Sequence, residues 1–175
     1  MTNNNLERAT QPAVPELAGD DRPGDMSTLE HLLKVSVDAA DNAHRLAELL
    51  KLDADIGGAK IFRDISAERR DFARRLAVML VDRGQDRPID THGTFRGILF
   101  RWRLQLAKHL PMGYCDTDDR RFLLRLARRG SDLVATAYAH AETKPLGPTC
   151  RQEVQRQAKA VRAANHMVHQ LAADA

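Results

Sequence analysis

The stretch RRGSDLVATAY, Arg128 to Tyr138, runs through the middle of a segment that otherwise reads as a long helix. A glycine inside a helix costs roughly 1 kcal/mol relative to alanine, and serine competes for backbone hydrogen bonds, so Gly130-Ser131 needs a packing or functional reason. Around the pair, Leu124, Ala127, Ser131, Val134, Tyr138 and Ala141 recur at three- and four-residue spacing. That stripe turns Ser131 toward the core of a helix that Thr117-Asp118-Asp119 opens with a cap and first-turn acids. The fold follows from what faces Ser131.

Three more long segments carry the same period. The capping box Ser27-Thr28-Leu29-Glu30 opens the first, whose stripe is Leu29, Leu33, Ser36, Ala40, Ala43, Ala47 and Leu50, and which ends before Gly57-Gly58. The second is expected from about Ala59 to Arg83, with Gly84 as its stop and Phe62, Ile65, Glu68, Phe72, Leu76 and Met79 or Leu80 as its stripe. The last follows the turn Pro145-Leu146-Gly147-Pro148 and aligns Val154, Ala158, Val161, Asn165, Val168 and Ala172. Between the second and third long helices, Asp90 or Thr91 can cap a shorter one carrying Phe95, Ile98, Leu99, Trp102, Leu106 and Leu110, until Pro111 stops it.

No strand pattern competes. Short turns join the first two long helices and the last two, and a longer crossover holds the short helix. The expected fold is therefore all-α, a four-helix bundle with a short additional helix in the crossover, over residues 27–173. Residues 1–26, rich in Asn, Pro, Gly and Asp, cannot bury enough apolar surface to offset ordering entropy and are expected to form a disordered tail. In the middle layers of the bundle Ala40, Glu68, Ser131 and Asn165 meet, one from each long helix, where an otherwise apolar core turns small or polar.

Composition sets the outer limits. The 175 residues suffice for one domain with a sizeable core, and 43% hydrophobic with 5% aromatic residues favours helices around Ala, Leu and Val. With 27 Lys+Arg against 24 Asp+Glu, the net charge of +3 is too slight to make nucleic acid the default partner. Cys115 and Cys150 lie far apart without zinc spacing, so reduced thiols are expected. The N-terminus lacks the apolar core of a signal peptide, and no apolar run reaches the ~18 residues of a membrane span, so a cytoplasmic protein is expected.

A resemblance adds to this reading. Asp38-Ala39-Ala40-Asp41, Glu68-Arg69-Arg70-Asp71-Phe72, His92 through Trp102, Arg129-Gly130-Ser131-Asp132 through Tyr138, and Ala164-Asn165-His166-Met167-Val168 occur in the order and spacing of one group. From Leu29 to Leu171 the chain resembles the small bacterial ferritin-like proteins of domain of unknown function 2383, four-helix-bundle relatives of ferritin and rubrerythrin. The resemblance implies a ferritin-like fold, with the inward glutamate of the first helix falling on Ala40, that of the third long helix on Ser131, and the histidine of the last on Asn165. Glu68 remains. Alanine and serine cannot supply the anionic oxygens of a di-iron or di-manganese site, and asparagine is a weak substitute for imidazole. No dinuclear metal and no cofactor are expected, and Gly130-Ser131 resembles a Gly-Glu ligand turn whose glutamate has been replaced.

The remaining polar residues carry competing readings. A buried Glu68 must be paired, protonated or metal-bound, and Arg69, Arg129 or Tyr138 could satisfy it. Asn165 reads as a hydrogen-bonded core amide and Ser131 as a small residue. His166 and His169, three residues apart, could present two imidazoles to a metal with Glu68 and the acids Asp38, Asp41 or Asp71, which makes a metal-binding redox or storage protein the alternative. Trp102 with Arg96, Arg101, Arg103 and Lys108 would suit an acidic partner or anionic membrane, although a crossover helix needs the same apolar stripe to cover a bundle. Arg120, Arg121, Arg125, Arg128 and Arg129 form a basic stripe that nearby acids offset, with little aromatic interleaving for nucleic acid.

Neither a Gly-rich phosphate loop nor a nucleophile elbow is present. The sequence therefore points to a non-enzymatic interaction or stress-related module that binds a protein partner or a second copy of itself, with membrane, nucleic acid and metal disfavoured. Its candidate binding residues are Glu68, Ser131, Asn165, Tyr138, Trp102 and Arg101.

Overall fold

The computed structural model describes residues 23–85 and 117–174. The crossover helix expected between Asp90 and Leu110, with Arg101 and Trp102, lies outside the described residues, as do Cys115 and the tail up to residue 22. The described residues form four helices, α1 (Pro23–Leu52), α2 (Ile56–Val81), α3 (Thr117–Glu142) and α4 (Pro148–Ala173), and no strand. None of the described helices is long and apolar enough to cross a membrane.

The first helix begins at Pro23, four residues ahead of the expected cap at Ser27. Proline fits a first turn because the amide it lacks would have no intrahelical acceptor there. Asp25 is fully buried, and both its carboxylate oxygens accept from the Gly147 amide, at 3.3 and 3.1 Å. The extra turn of α1 is thus fastened to the α3–α4 turn. All seven expected inward positions of α1, from Leu29 to Leu50, are buried.

Gly57-Gly58 lies inside the first turn of α2 and not in a linker, because Asp55 caps that helix. Asp55 Oδ1 accepts from the Gly58 amide at 2.8 Å, while Oδ2 accepts from Arg120 Nε of α3 at 2.9 Å. Glycine at 58 makes room for that cap: a Cβ there would come within 2.6 Å of Asp55 Oδ2 and push the carboxylate aside. Burial would raise the Asp55 carboxyl, but the Gly58 amide and Arg120 outweigh it and hold the group below its ordinary range. At the other end of α2, Gly84 adopts φ 81°, the left-handed stop expected from sequence, and its amide donates to Val81 O at 2.9 Å.

These contacts fix the direction of each helix. Arg120 starts α3 beside the α1–α2 turn, whereas Tyr138, near the end of α3, meets Ser36 in the first half of α1. Gln85, just past α2, donates to Glu30 at 2.8 Å, so α2 finishes beside the start of α1. Helices α2 and α3 therefore run parallel, and the chain between Gln85 and Thr117 joins opposite ends of the bundle, the arrangement of bundles with one long crossover.

The core has two apolar layers. One, toward the Asp25–Gly147 end, contains Leu29, Leu76, Leu80, Tyr138 and Val154; the other, toward Asp55, contains Leu46, Leu50, Phe62, Leu124 and Val168. Between them Ser66 Oγ donates to the Ala40 carbonyl at 2.8 Å, and of the four residues expected to meet at this height only Ala40 is fully buried.

Removing the cap and its cross-helix pair by Asp55→Ala should cost about 1–2 kcal/mol in urea denaturation. Gly58→Ala should destabilise the native protein by displacing that carboxylate, yet become neutral or stabilising by up to about 1 kcal/mol in the Asp55→Ala background, where only helix propensity is left to act.

Candidate functional site

Midway along the bundle, a cavity of about 250 Å³ opens between α1 and α3. Val35, Asp38 and Asn42 of α1, Arg69 of α2, and Gly130 and Ser131 of α3 are among its walls. The glycine and serine of the opening stretch thus face space: side chains this small leave room that a leucine or glutamate would fill. Ser131 is half-buried.

The charge in the interior is not the expected one. Glu68 is turned to the edge of the bundle with its side chain 39% exposed, and the buried neighbour is Arg69, whose Nη1 donates to Glu68 Oε2 at 2.9 Å. The inward face of α2 is rotated by one residue, through Ser66, Arg69, Phe72, Leu76 and Leu80. The guanidinium also lies 5.0 Å from the centroid of the Phe72 ring, a cation–π contact that helps carry the charge inside. Burial lowers the Arg69 pKa, and Glu68 restores part of it. The sequence offers Asp38 only as a possible metal-ligating acid and Arg69 only as a partner for Glu68, and points to neither as a buried wall residue, because charged residues are normally assigned to the surface. The spacing of three and four that links Ser66, Arg69, Ala73 and Leu76 was the available signal.

Tyr138 lies behind the cavity and not on its wall. Its hydroxyl donates to Gln157 Oε1 at 2.6 Å and, its one hydrogen being used, accepts from Ser36 Oγ at 2.9 Å. Gln157, fully buried, passes the chain on from Nε2 to Glu153 Oε1 at 2.7 Å, and Arg156 Nε grips Glu153 Oε2 at 2.9 Å. Phe72 meets the phenol ring edge to face at 6.4 Å. Burial pushes the Tyr138 hydroxyl up to about 12, against the pull of Ser36 and Arg69.

Asn165 and the histidines form a separate group on the α3–α4 face. Asp132 Oδ1 takes His169 Nε2 at 2.7 Å and Asn165 Nδ2 at 3.3 Å. Burial would raise the Asp132 carboxyl, but the bonds from His169 and Asn165 hold it below its ordinary range. Asn165 is half-buried, its Oδ1 has no hydrogen-bond partner among the described residues, and His166 is exposed. Glu68 with Arg69, His169 with Asp132, and Asp38 on the cavity wall are therefore three distinct places. Among the described residues, no group of three or more His, Cys, Asp or Glu side chains could hold a metal ion.

Comparison of the chain with protein-family models, with curated proteins and with solved structures finds no match. The geometry must carry the functional reading alone. It offers a mid-bundle cavity with small residues on one side, apolar residues around most of its wall, and two buried charges of opposite sign.

Tyr138→Phe should lower stability by about 1–3 kcal/mol at neutral pH, because Gln157 Oε1 loses its buried donor. With the folded hydroxyl raised from 10.0 to about 12, the unfolded chain ionises first, so the stability from this group is complete below pH 10.0 and is lost as pH rises through about 12. Urea melts across that window should show a shallower alkaline decline in the Phe variant.

Proposed function

We propose that this chain is a non-enzymatic, cytoplasmic binding module of ferritin-like architecture, without di-metal chemistry, and that the cavity between α1 and α3 is where it binds. The observation that carries the reading is Arg69. The resemblance to ferritin-like proteins implies metal ligands at mid-height, and at that height this chain has Ala40 in the core, Ser131 on the cavity wall, and a buried guanidinium on the same wall. A fixed positive charge opposes a cluster of divalent cations, which such a site would have to neutralise with carboxylates. The parallel course of α2 and α3, with one long crossover, supports the architectural half of the proposal.

The alternative, a metal-binding redox or storage protein built from Glu68, His166, His169 and the α1 acids, is separated by elemental analysis of the purified protein after incubation with Fe(II), Mn(II) and Zn(II). Metal at background level in the native protein is the expected result. Two bound metals per chain, lost in Glu68→Ala, would establish the alternative and overturn the binding-module reading.

A further inference from the structure

The walls of the cavity are sorted by height, and their order selects a ligand class. The bond between Ser36 and Tyr138 fixes α1 against the antiparallel α3. Asn42 follows Ser36 and Ser131 precedes Tyr138 by about 9 and about 10.5 Å along the bundle in the same direction, so the two line the cavity at one level. The buried Oδ1 of Asn42 has no hydrogen-bond partner among the described residues, and such an acceptor is costly to leave unmet. Further toward Asp55, the cavity ends on Leu46, Phe62, Ala127 and Val168 of the apolar layer, none of them more than 3% exposed. The charges lie on the other side of this level. Asp38 precedes Asn42 by one helical turn, and Arg69 follows Ser66, which is bonded at Ala40, so both are displaced toward Asp25. Arg69 is held by Glu68 and Asp38 is engaged as well, so neither asks a ligand for a counter-ion.

Resting on the reading of this cavity as the binding site, we infer that its ligand is an uncharged hydroxyl compound with a compact apolar body, a phenol or small cyclic alcohol. The hydroxyl donates to Asn42 Oδ1 and accepts from the Ser131 hydroxyl on the opposite wall, and the body fills the closed apolar end. A hydrocarbon of the same shape would leave Asn42 unmet. An ether oxygen or a carboxylate accepts without donating, and the carboxylate would also bring a net charge into a site of low dielectric. A lone water molecule would meet the amide and leave the apolar end unfilled. Size agrees: a dry cavity of about 150 Å³ accommodates benzene, so about 250 Å³ takes a six-membered ring with its hydroxyl.

The test is titration calorimetry on the full chain with phenol, with toluene, which has the same shape without the hydroxyl, with anisole, whose oxygen accepts but cannot donate, and with benzoate as the charged probe. Phenol should bind saturably, and toluene, anisole and benzoate each at least about tenfold more weakly. Asn42→Leu, which removes the unmet acceptor, should bring phenol within about twofold of toluene, and Ser131→Ala should weaken phenol while leaving toluene unchanged. Ala43→Leu, which fills the cavity beside Asn42, should keep the helical circular dichroism and lose phenol binding. A phenol-to-toluene ratio that collapses in Asn42→Leu places the site at this cavity even if Ala43→Leu does not fold. Toluene, anisole or benzoate binding as tightly as phenol, and blocked by Ala43→Leu, would overturn the hydroxyl class while leaving the cavity as the site. Absence of saturable binding by every probe, or binding indifferent to both Asn42→Leu and Ala43→Leu, would overturn both.

Discussion

The hydroxyl of Tyr138 is the point at which the two halves of the molecule are keyed together. It takes a hydrogen bond from Ser36 of α1 and gives one to Gln157 of α4, while its ring packs on Phe72 of α2. A phenol buried this completely needs partners on both sides, so α3 cannot rotate or slide without stranding at least one polar group. Ser131 precedes Tyr138 by two helical turns and projects from nearly the same face. The register imposed at Tyr138 therefore also decides that Gly130 and Ser131 front the cavity.

A second constraint is electrostatic. Two apolar layers flank the middle of the bundle, and Asp38 and Arg69 lie between them. Burying Arg69 is tolerable because Glu68 is beside it and Phe72 offers the face of its ring. The pair is asymmetric, with the anion near solvent and the cation in the interior, so the centre of the bundle has a positive wall where a carboxylate-lined site would be negative. Asp38, from the neighbouring helix, gives that same cavity its acidic side.

Much of this was legible in the chain. The stripe of α1 was readable because its inward residues are apolar or small and leave little choice of face. Ser131 and Tyr138 were placed correctly relative to each other for the same reason. At α2 the reading failed by one residue: Glu68 and Arg69 are adjacent, hydrophobic period alone separates them by only about 100° of rotation, and arginine's long apolar stem makes it the easier of the two to bury. The first turn of α1 was missed because Pro23 to Asp25 has the composition of a tail. What orders it is a contact with Gly147, which no local pattern announces. Asp55 was hidden by the glycines after it, whose absent side chains make space for the cap and imitate a linker.

The placement of Gln85 and Thr117 at opposite ends of the bundle governs how the molecule assembles in time. Each hairpin, α1 with α2 and α3 with α4, is made of contacts between neighbours in sequence, which close quickly. Bringing the hairpins together requires closing the whole intervening stretch, an entropic cost of about 3 kcal/mol. The bond of Tyr138 to Gln157 lies within one hairpin, and its bond to Ser36 needs the two hairpins docked. One hydroxyl thus joins a contact of short sequence separation to one of long separation, and the cavity, which takes walls from both hairpins, has its shape only once they are together.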